Sequence, residues 1–190
     1  KNKAKYTQSF TLKGKLVDPD SGRVLANASA EGTIEPQKGS LCKWDFPPLL
    51  GIEKWSAENP KLYKLLIEFG TSSGEKLYAA RTVGFRTVER RDGQILVNGK
   101  PILFKGVNRH EFSPRGGHVC DAETARRDIL EMKKYNFNAI RTSHYPNDPV
   151  FYELCNELGM YVIDEANIEM HGLDNYKKLN FESDPVWGAA

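Results

Sequence analysis

Residues 137–163 read FNAIRTSHYPNDPVFYELCNELGMYVI, and three local signals in this stretch decide the fold. The apolar run at 137–141 is too short for a helix and reads as a buried strand. Asp148 is a good helix cap, Pro149 suits the first helical position, and Gly159 is a typical stop. The next apolar run, 160–163, is a second strand. Strand, helix and strand joined by short connections require the two strands to be parallel. Toward the N-terminus the same order repeats. Asp121 caps a predicted helix over 122–135 whose inner face is Ala125, Ile129 and Met132, and 102–107 is apolar enough for a further strand. Two consecutive crossovers leave two parents, a doubly wound open sheet and a (β/α)8 barrel. No GxGxxG follows any of the strands, which argues against a dinucleotide site and moves the weight to the barrel.

The first half has a different period. From 6 to about 91, apolar and polar residues alternate between turn clusters. Residues 10–17 lead into Asp18-Pro19-Asp20-Ser21-Gly22, a strong turn signal. Leu62, Leu66 and Phe69 mark another strand, and 77–88 a long one broken by Gly84. No stretch there keeps helical spacing for three turns, so a β-sandwich over 1–92 is expected, followed by a barrel part over 93–190. Asn98-Gly99, between 94–97 and 101–104, is the strongest hairpin signal in the chain.

Composition excludes several classes. Of 190 residues, 39% are hydrophobic, 27% charged and 11% aromatic, a globular balance that leaves out disorder, collagen and coiled coil. No apolar run approaches the roughly 18 residues of a membrane span, and no signal peptide is visible. A net charge of +2 is too small for a nucleic-acid surface. Residues 1–95 hold 16 Lys/Arg against 11 Asp/Glu, and 96–190 hold 11 against 14. All four histidines also lie in the acidic half, where chemistry is expected. Cys42, Cys120 and Cys155 fit neither a disulfide framework nor a metal knuckle, and are expected to be reduced thiols in a cytoplasmic protein. The chain starts at Lys1 and ends in Trp187-Gly188-Ala189-Ala190, which reads as a piece of a longer protein.

In both parent folds reactive groups gather past the C-terminal ends of strands, and each strand here runs into protonatable residues. The first leads to Asn108-Arg109-His110-Glu111, the second to Arg141-Thr142-Ser143-His144-Tyr145, and the third to Asp164-Glu165-Ala166-Asn167-Ile168-Glu169-Met170-His171. Glu169 and His171, two apart in extended backbone, would share one side and could reach a common cation, a hard ion such as magnesium suiting the oxygen donor. The bland reading is a polar surface loop. His144 sits in a loop stiffened by Pro146, as a substrate-orienting group or a structural histidine. Arg141, at the end of a buried strand, needs a carboxylate, which later loops of a barrel could supply. His110 fits a charge-paired surface cluster with Arg109 and Glu111 or a substrate contact, while His118, in a Gly-rich loop, reads as solvated. Asp164 and Glu165 point opposite ways, so one faces the barrel and the other does not. Trp44, Trp55 and Trp187 could stack on sugars, although the first two are expected as core anchors.

The stretch from Asn138 to Pro146, with Phe151, Tyr152, Asn156, Gly159 and the apolar residues 160–163, resembles the signature of family-two glycoside hydrolases. Gly106-Val107-Asn108-Arg109-His110-Glu111 and the 164–172 stretch narrow the resemblance to the large cytosolic β-galactosidase type. Trp55-Ser56-Ala57-Glu58-Asn59-Pro60-Lys61-Leu62-Tyr63 is similar to the immunoglobulin-like domain that precedes the barrel in that family.

The resemblance implies an immunoglobulin-like β-sandwich followed by the first βα units of a TIM barrel. It implies a retaining β-galactosidase acting on terminal β-D-galactosides such as lactose through a covalent intermediate. His110, His144 and Arg141 would bind the substrate, and Glu169 and His171 would be magnesium ligands. Sodium and a homo-oligomeric state are implied for the full-length parent only. Both catalytic glutamates come from later strands in the family, so this stretch is expected to be inactive alone. A sugar-binding or complementing fragment without activity of its own, and a β-glucuronidase or β-mannosidase parent, are the alternatives.

Overall fold

A computed structural model describes residues 1–169, together with His171 and Pro185. The chain divides into two compact units, Lys1–Leu103 and Phe104–Ala190, further along than the 92/93 division read from the sequence.

In the first unit, β1 (Gln8–Val17), β2 (Val24–Ile34), β3 (Tyr63–Thr71) and β4 (Lys76–Val83) form one antiparallel sheet in the order β2-β1-β3-β4. The turn cluster read from the sequence joins β1 to β2. The Asp18 carboxylate accepts from the Ser21 hydroxyl at 2.7 Å, and Gly22 takes the positive φ, +69°, that closes the turn. Lys61 reaches across to Asp18 at 2.7 Å and to Asp20. Its hydrogen bond, then that of Ser21, draws the Asp18 carboxyl down to about 2.

Register sets which face is covered. Leu12 lies between Ala30 and Phe69, Gly14 between Ala28 and Ile67, and Leu16 between Ala26 and Leu65. The Trp44 ring occupies the space beside Gly14, so closely that a Cβ there would come within 2.2 Å of it. Among the described residues, 35–62 contribute no strand. Where an immunoglobulin-like sandwich of two packed sheets is expected, the described residues here form one four-stranded layer, with Trp44 and Phe46 of an irregular segment lying on one face. Pro36, Pro47, Pro48 and Pro60 each remove a ladder donor, which explains why that segment does not add strands.

Next, β5 (Val88–Arg91), β6 (Gln94–Val97) and β7 (Lys100–Pro101) make a small antiparallel meander. Asn98 and Gly99 have φ of +54° and +77°, as a tight primed turn requires. The Asn98 amide donates to the Trp55 carbonyl at 3.0 Å, which ties the meander to the first unit and moves the division past it.

In the second unit, β8 (Gly106–Arg109), α1 (Ala122–Lys134), β9 (Ala139–Thr142), α2 (Pro149–Leu158) and β10 (Tyr161–Ile163) alternate, and the parallel sheet runs β10-β9-β8. This is the expected double crossover. One element is displaced: the strand read at 102–107 is β8 at 106–109. Ile102 instead donates its amide to the Ile95 carbonyl of the meander at 3.0 Å, while Lys105 already bonds to Asn138 just before β9, so the chain changes sheets between these two residues. Gly106 permits the β8–β9 approach, since a Cβ there would lie 2.6 Å from the Ala139 carbonyl oxygen.

Both helices begin and end where their capping residues stand. Asp121 accepts from the Thr124 amide at 2.7 Å, Asp148 accepts from the Val150 amide at 2.9 Å, and Gly159 closes α2 in the left-handed region. Their inner faces enclose Ala125, Ile129, Ile140, Phe151, Leu154, Cys155 and Met160. Burial there pushes the Cys155 thiol up to about 12, against a smaller downward pull from Arg109.

Candidate active site

Alternation along three parallel strands sorts the polar residues at their C-terminal ends into two sets. On β8, Asn108 and Arg109 point to opposite sides; on β9, Arg141 and Thr142 do the same; after β10, so do Asp164 and Glu165. Register places Asn108 beside Arg141 and Arg109 beside Thr142.

One set turns toward the helices. Arg109 is 6% exposed, donates Nε and Nη2 to Asp128 Oδ2 of α1 at 3.2 and 3.0 Å, and gives Nη1 to Asn147 Oδ1 at 3.2 Å. Nη2 also faces Cys120 Sγ at 3.1 Å, and the guanidinium lies 4.9 Å from the centre of the Phe151 ring. Thr142, fully buried, donates to Asp164 Oδ1 at 3.0 Å and accepts from the Glu165 amide at 3.0 Å. Tyr152 donates to the same Asp164 oxygen at 2.6 Å. Burial first, then the Asp164 carboxylate, push the Tyr152 phenol up to about 12. This set keys the end of β10 to β9 and α2.

The other set gathers around Glu165. Arg141 Nε donates to Glu165 Oε1, and His144 Nδ1 lies 2.8 Å from Oε2. Arg141 Nη1 also reaches Asn108 Oδ1 at 3.4 Å. The His144 and His110 rings stand edge to face, with centroids 5.6 Å apart. Burial raises the Glu165 carboxyl, but the hydrogen bonds from His144 and then Arg141 outweigh it and hold the group below the usual carboxylate range. An ionised carboxylate with both oxygens engaged is neither a proton donor nor a free nucleophile. The cluster can bind and orient a polar ligand through imidazole and guanidinium groups.

The structure thus brings together three residues picked out in the sequence, Arg141, His144 and His110. Arg141 departs from expectation in two ways: it is half-buried rather than enclosed, and its carboxylate comes from the adjoining strand end. His110, Arg109 and Glu111 do not form one cluster, because strand alternation sends Arg109 inward and Glu111 accepts the Asp148 amide at 3.1 Å. His118 is exposed, as expected, with its ring against Phe112 and Tyr145 at 5.9 and 6.4 Å. Trp55 is a buried anchor and Trp44 is half-buried, while Trp187 lies outside the described residues. Sequence reasoning missed Glu165 as the centre of the cluster. The signal was available in the two-residue period, which puts it on the face carrying Arg141.

Glu169 and His171 are the candidate metal ligands. β10 ends at Ile163, so the extended run on which their shared side rested does not reach them. Glu169 Oε1 accepts the His171 amide at 3.0 Å, and its Oε2 lies 4.0 Å from His144 Nδ1. Among the described residues no three His, Cys, Asp or Glu side chains converge as a metal-holding group. A carboxylate and an imidazole are compatible with part of a shell that a magnesium ion completes with water and further carboxylates.

An antiparallel β unit, then parallel βα units carrying polar groups at their C-terminal strand ends, is compatible with the first βα units of a barrel. Comparison with known families specifies it. Residues 88–188 match the family described as glycosyl hydrolases family 2, TIM barrel domain, and residues 1–86 match glycosyl hydrolases family 2. The chain belongs to glycosyl hydrolase family 2. It is 55% identical over 134 residues to a β-galactosidase of Pectobacterium atrosepticum, covering 70% of this chain and 13% of that protein. It is 52% identical over 139 residues to a β-galactosidase of Vibrio vulnificus, covering 73% and 13%. Among solved structures, Bacteroides uniformis β-glucuronidase superposes with a TM-score of 0.78 at 28% identity, over 87% of this chain and 20% of that one. A Ruminococcus gnavus β-glucuronidase in complex with D-glucuronic acid gives 0.67 at 28% identity, over 82% and 25%. The chain spans about an eighth of the length of the curated relatives it matches.

Proposed function

We propose that the full-length parent is a retaining β-galactosidase that hydrolyses terminal β-D-galactosides such as lactose, and that this stretch supplies part of its sugar-binding wall. The observation that carries the substrate class is identity above one half to proteins named β-galactosidase, against 28% to the glucuronidases whose fold it shares. His110, His144 and Arg141 would meet the sugar, since they converge on one side of the sheet's C-terminal end. Retention needs one carboxylic acid to protonate the leaving oxygen and one carboxylate to attack the anomeric carbon. Glu165 is occupied by Arg141 and His144, so both roles fall to groups elsewhere in the parent, and this stretch alone is inactive. Donors on His110, His144 and Arg141 would hold the ring hydroxyls while the anomeric carbon gains positive charge, which favours reaction through orientation.

The test compares the purified parent with the isolated 190-residue chain on nitrophenyl β-galactoside and nitrophenyl β-glucuronide. Turnover of the galactoside by the parent only is expected. Preference for the glucuronide would transfer the assignment to the class of the structural neighbours, and galactoside turnover by the isolated chain would overturn its incompleteness.

Magnesium is proposed as a cofactor of the parent, with Glu169 and His171 as two of its ligands, where it would supply local positive charge. Sodium is proposed for the parent alone. Dialysis of the parent against EDTA should lower activity, and added magnesium should restore it in wild type at concentrations too low for Glu169→Gln. Equal recovery of the two proteins would remove Glu169 from the site. A homo-oligomer in the cytoplasm completes the reading. The cytoplasmic part agrees with three free cysteines, Cys42, Cys120 and Cys155. Among the described residues, no helix is long and apolar enough to cross a membrane.

A further inference from the structure

We infer that Glu165 is a positioning residue, holding Arg141 and His144 in the single arrangement in which both serve the sugar. The inference rests on the glycosidase reading above and adds to it a residue that itself meets no substrate. Three observations carry it.

Among the described residues of this chain, few other groups fix the two side chains. Arg141 and His144 are each about one third exposed, and long or rotatable side chains in that condition sample several rotamers. Beyond Glu165, Arg141 has a 3.4 Å contact to Asn108, and His144 has ring contact with His110, which is exposed, and the Glu169 carboxylate 4.0 Å from its Nδ1, too far for a hydrogen bond. Glu165 engages each through a different carboxylate oxygen, so one group sets the distance and angle between the other two.

The carboxylate also selects one form of the imidazole. An ionised carboxylate only accepts hydrogen bonds, so His144 carries a proton on the nitrogen facing it, Nδ1, and presents Nε2 as its other polar atom. Arg141 is likewise committed, through Nε to Glu165 and through Nη1 to Asn108.

Glu165 is itself anchored from beneath. Its amide donates to the fully buried Thr142 hydroxyl at 3.0 Å, and neighbouring Asp164 is held by Thr142 and by Tyr152. A carboxylate whose backbone is tied into buried groups can transmit order to half-exposed ones, and displacement of such a group by about 1 Å can cost about a hundredfold in rate.

The experiment uses the full-length parent with whichever of the two glycosides it turns over, so that the choice of sugar and the role of Glu165 stand or fall separately. Glu165→Gln keeps the shape, but its amide end must oppose a donor on Arg141 or on His144. The expected result is a fall in kcat of about a hundredfold with KM changed by less than about twofold and an unchanged thermal midpoint. A double-mutant cycle with His144→Ala separates positioning from general support. If Glu165 acts through His144, the second substitution costs far less in the His144→Ala background than in wild type. Glu165→Asp, which keeps the charge, should recover a measurable part of kcat, and carries the same test should Glu165→Gln not fold. Wild-type kcat in Glu165→Gln, or losses that multiply in full across the cycle, would overturn the inference. Failure of the wild-type parent on both glycosides would instead sink the functional reading.

Discussion

Replacing Phe151 with alanine should lower the stability of the chain by about 3–5 kcal/mol, read as a lower urea midpoint with an unchanged dependence on urea concentration. Phe151 is 1% exposed and is the largest of the fully buried side chains. It stands on the inner face of α2 among Ala125, Ile129, Ile140, Leu154, Cys155 and Met160, with Tyr152 edge to face at 5.7 Å. The truncation removes the transfer free energy of a benzyl group and opens a cavity that two capped helices and a three-stranded sheet cannot fully close. It also takes away the ring beneath the Arg109 guanidinium. Leu130→Ala on α1 is the matched control, because Leu130 is exposed and its truncation should cost no more than about 0.5 kcal/mol. If both substitutions cost the same, the second unit has no packed core of the kind described.

The elements most legible in the sequence are those fixed by short-range chemistry. Both helices fall where Asp121, Asp148, Pro149 and Gly159 place them, because a cap satisfies backbone donors or accepts a left-handed conformation whatever lies around it. The Asn98-Gly99 turn is legible for the same reason. The offset of β8 arises from competition: residues before 106 are apolar enough for either sheet, and Ile102 bonds to the meander, a partner that periodicity does not reveal. The single-layer sheet of the first unit likewise depends on how a proline-rich segment lies on a face, which no repeat encodes. At the candidate site, parallel strands bring His110, Arg141 and His144 to one end of the sheet, but that His144 joins Arg141 rather than the side of Thr142 depends on the loop after β9, which ends at Thr142. What was not legible was who pairs with whom. The sequence places a guanidinium near several carboxylates, and only the register, Asn108 beside Arg141 and Arg109 beside Thr142, sends one arginine to Glu165 and the other to Asp128.

That second arginine gives an asymmetric expectation. Asp128→Ala should destabilise the chain by about 3 kcal/mol, near the lower end of the range for breaking a buried pair, and by more than Arg109→Met. The partners differ in their access to water: the Arg109 side chain is 6% exposed and the Asp128 side chain 34%. Without Asp128, a guanidinium that cannot lose its proton at ordinary pH stays enclosed, with Asn147 and Cys120 as poor compensation. Without Arg109, the freed Asp128 carboxylate turns to solvent through the opening it already has. Methionine meanwhile fills much of the space over Phe151 with a flexible apolar chain. The ordering is thus set by which charge is stranded rather than by the strength of the bond both variants lose. Urea denaturation of the two single variants and of the combined Asp128→Ala/Arg109→Met chain measures it. The combined chain should be more stable than Asp128→Ala alone, because the second substitution removes the stranded cation. A combined loss equal to the sum of the two singles would show that Arg109 contributes through packing alone, and that the charge pair between β8 and α1 does not set the stability of this face.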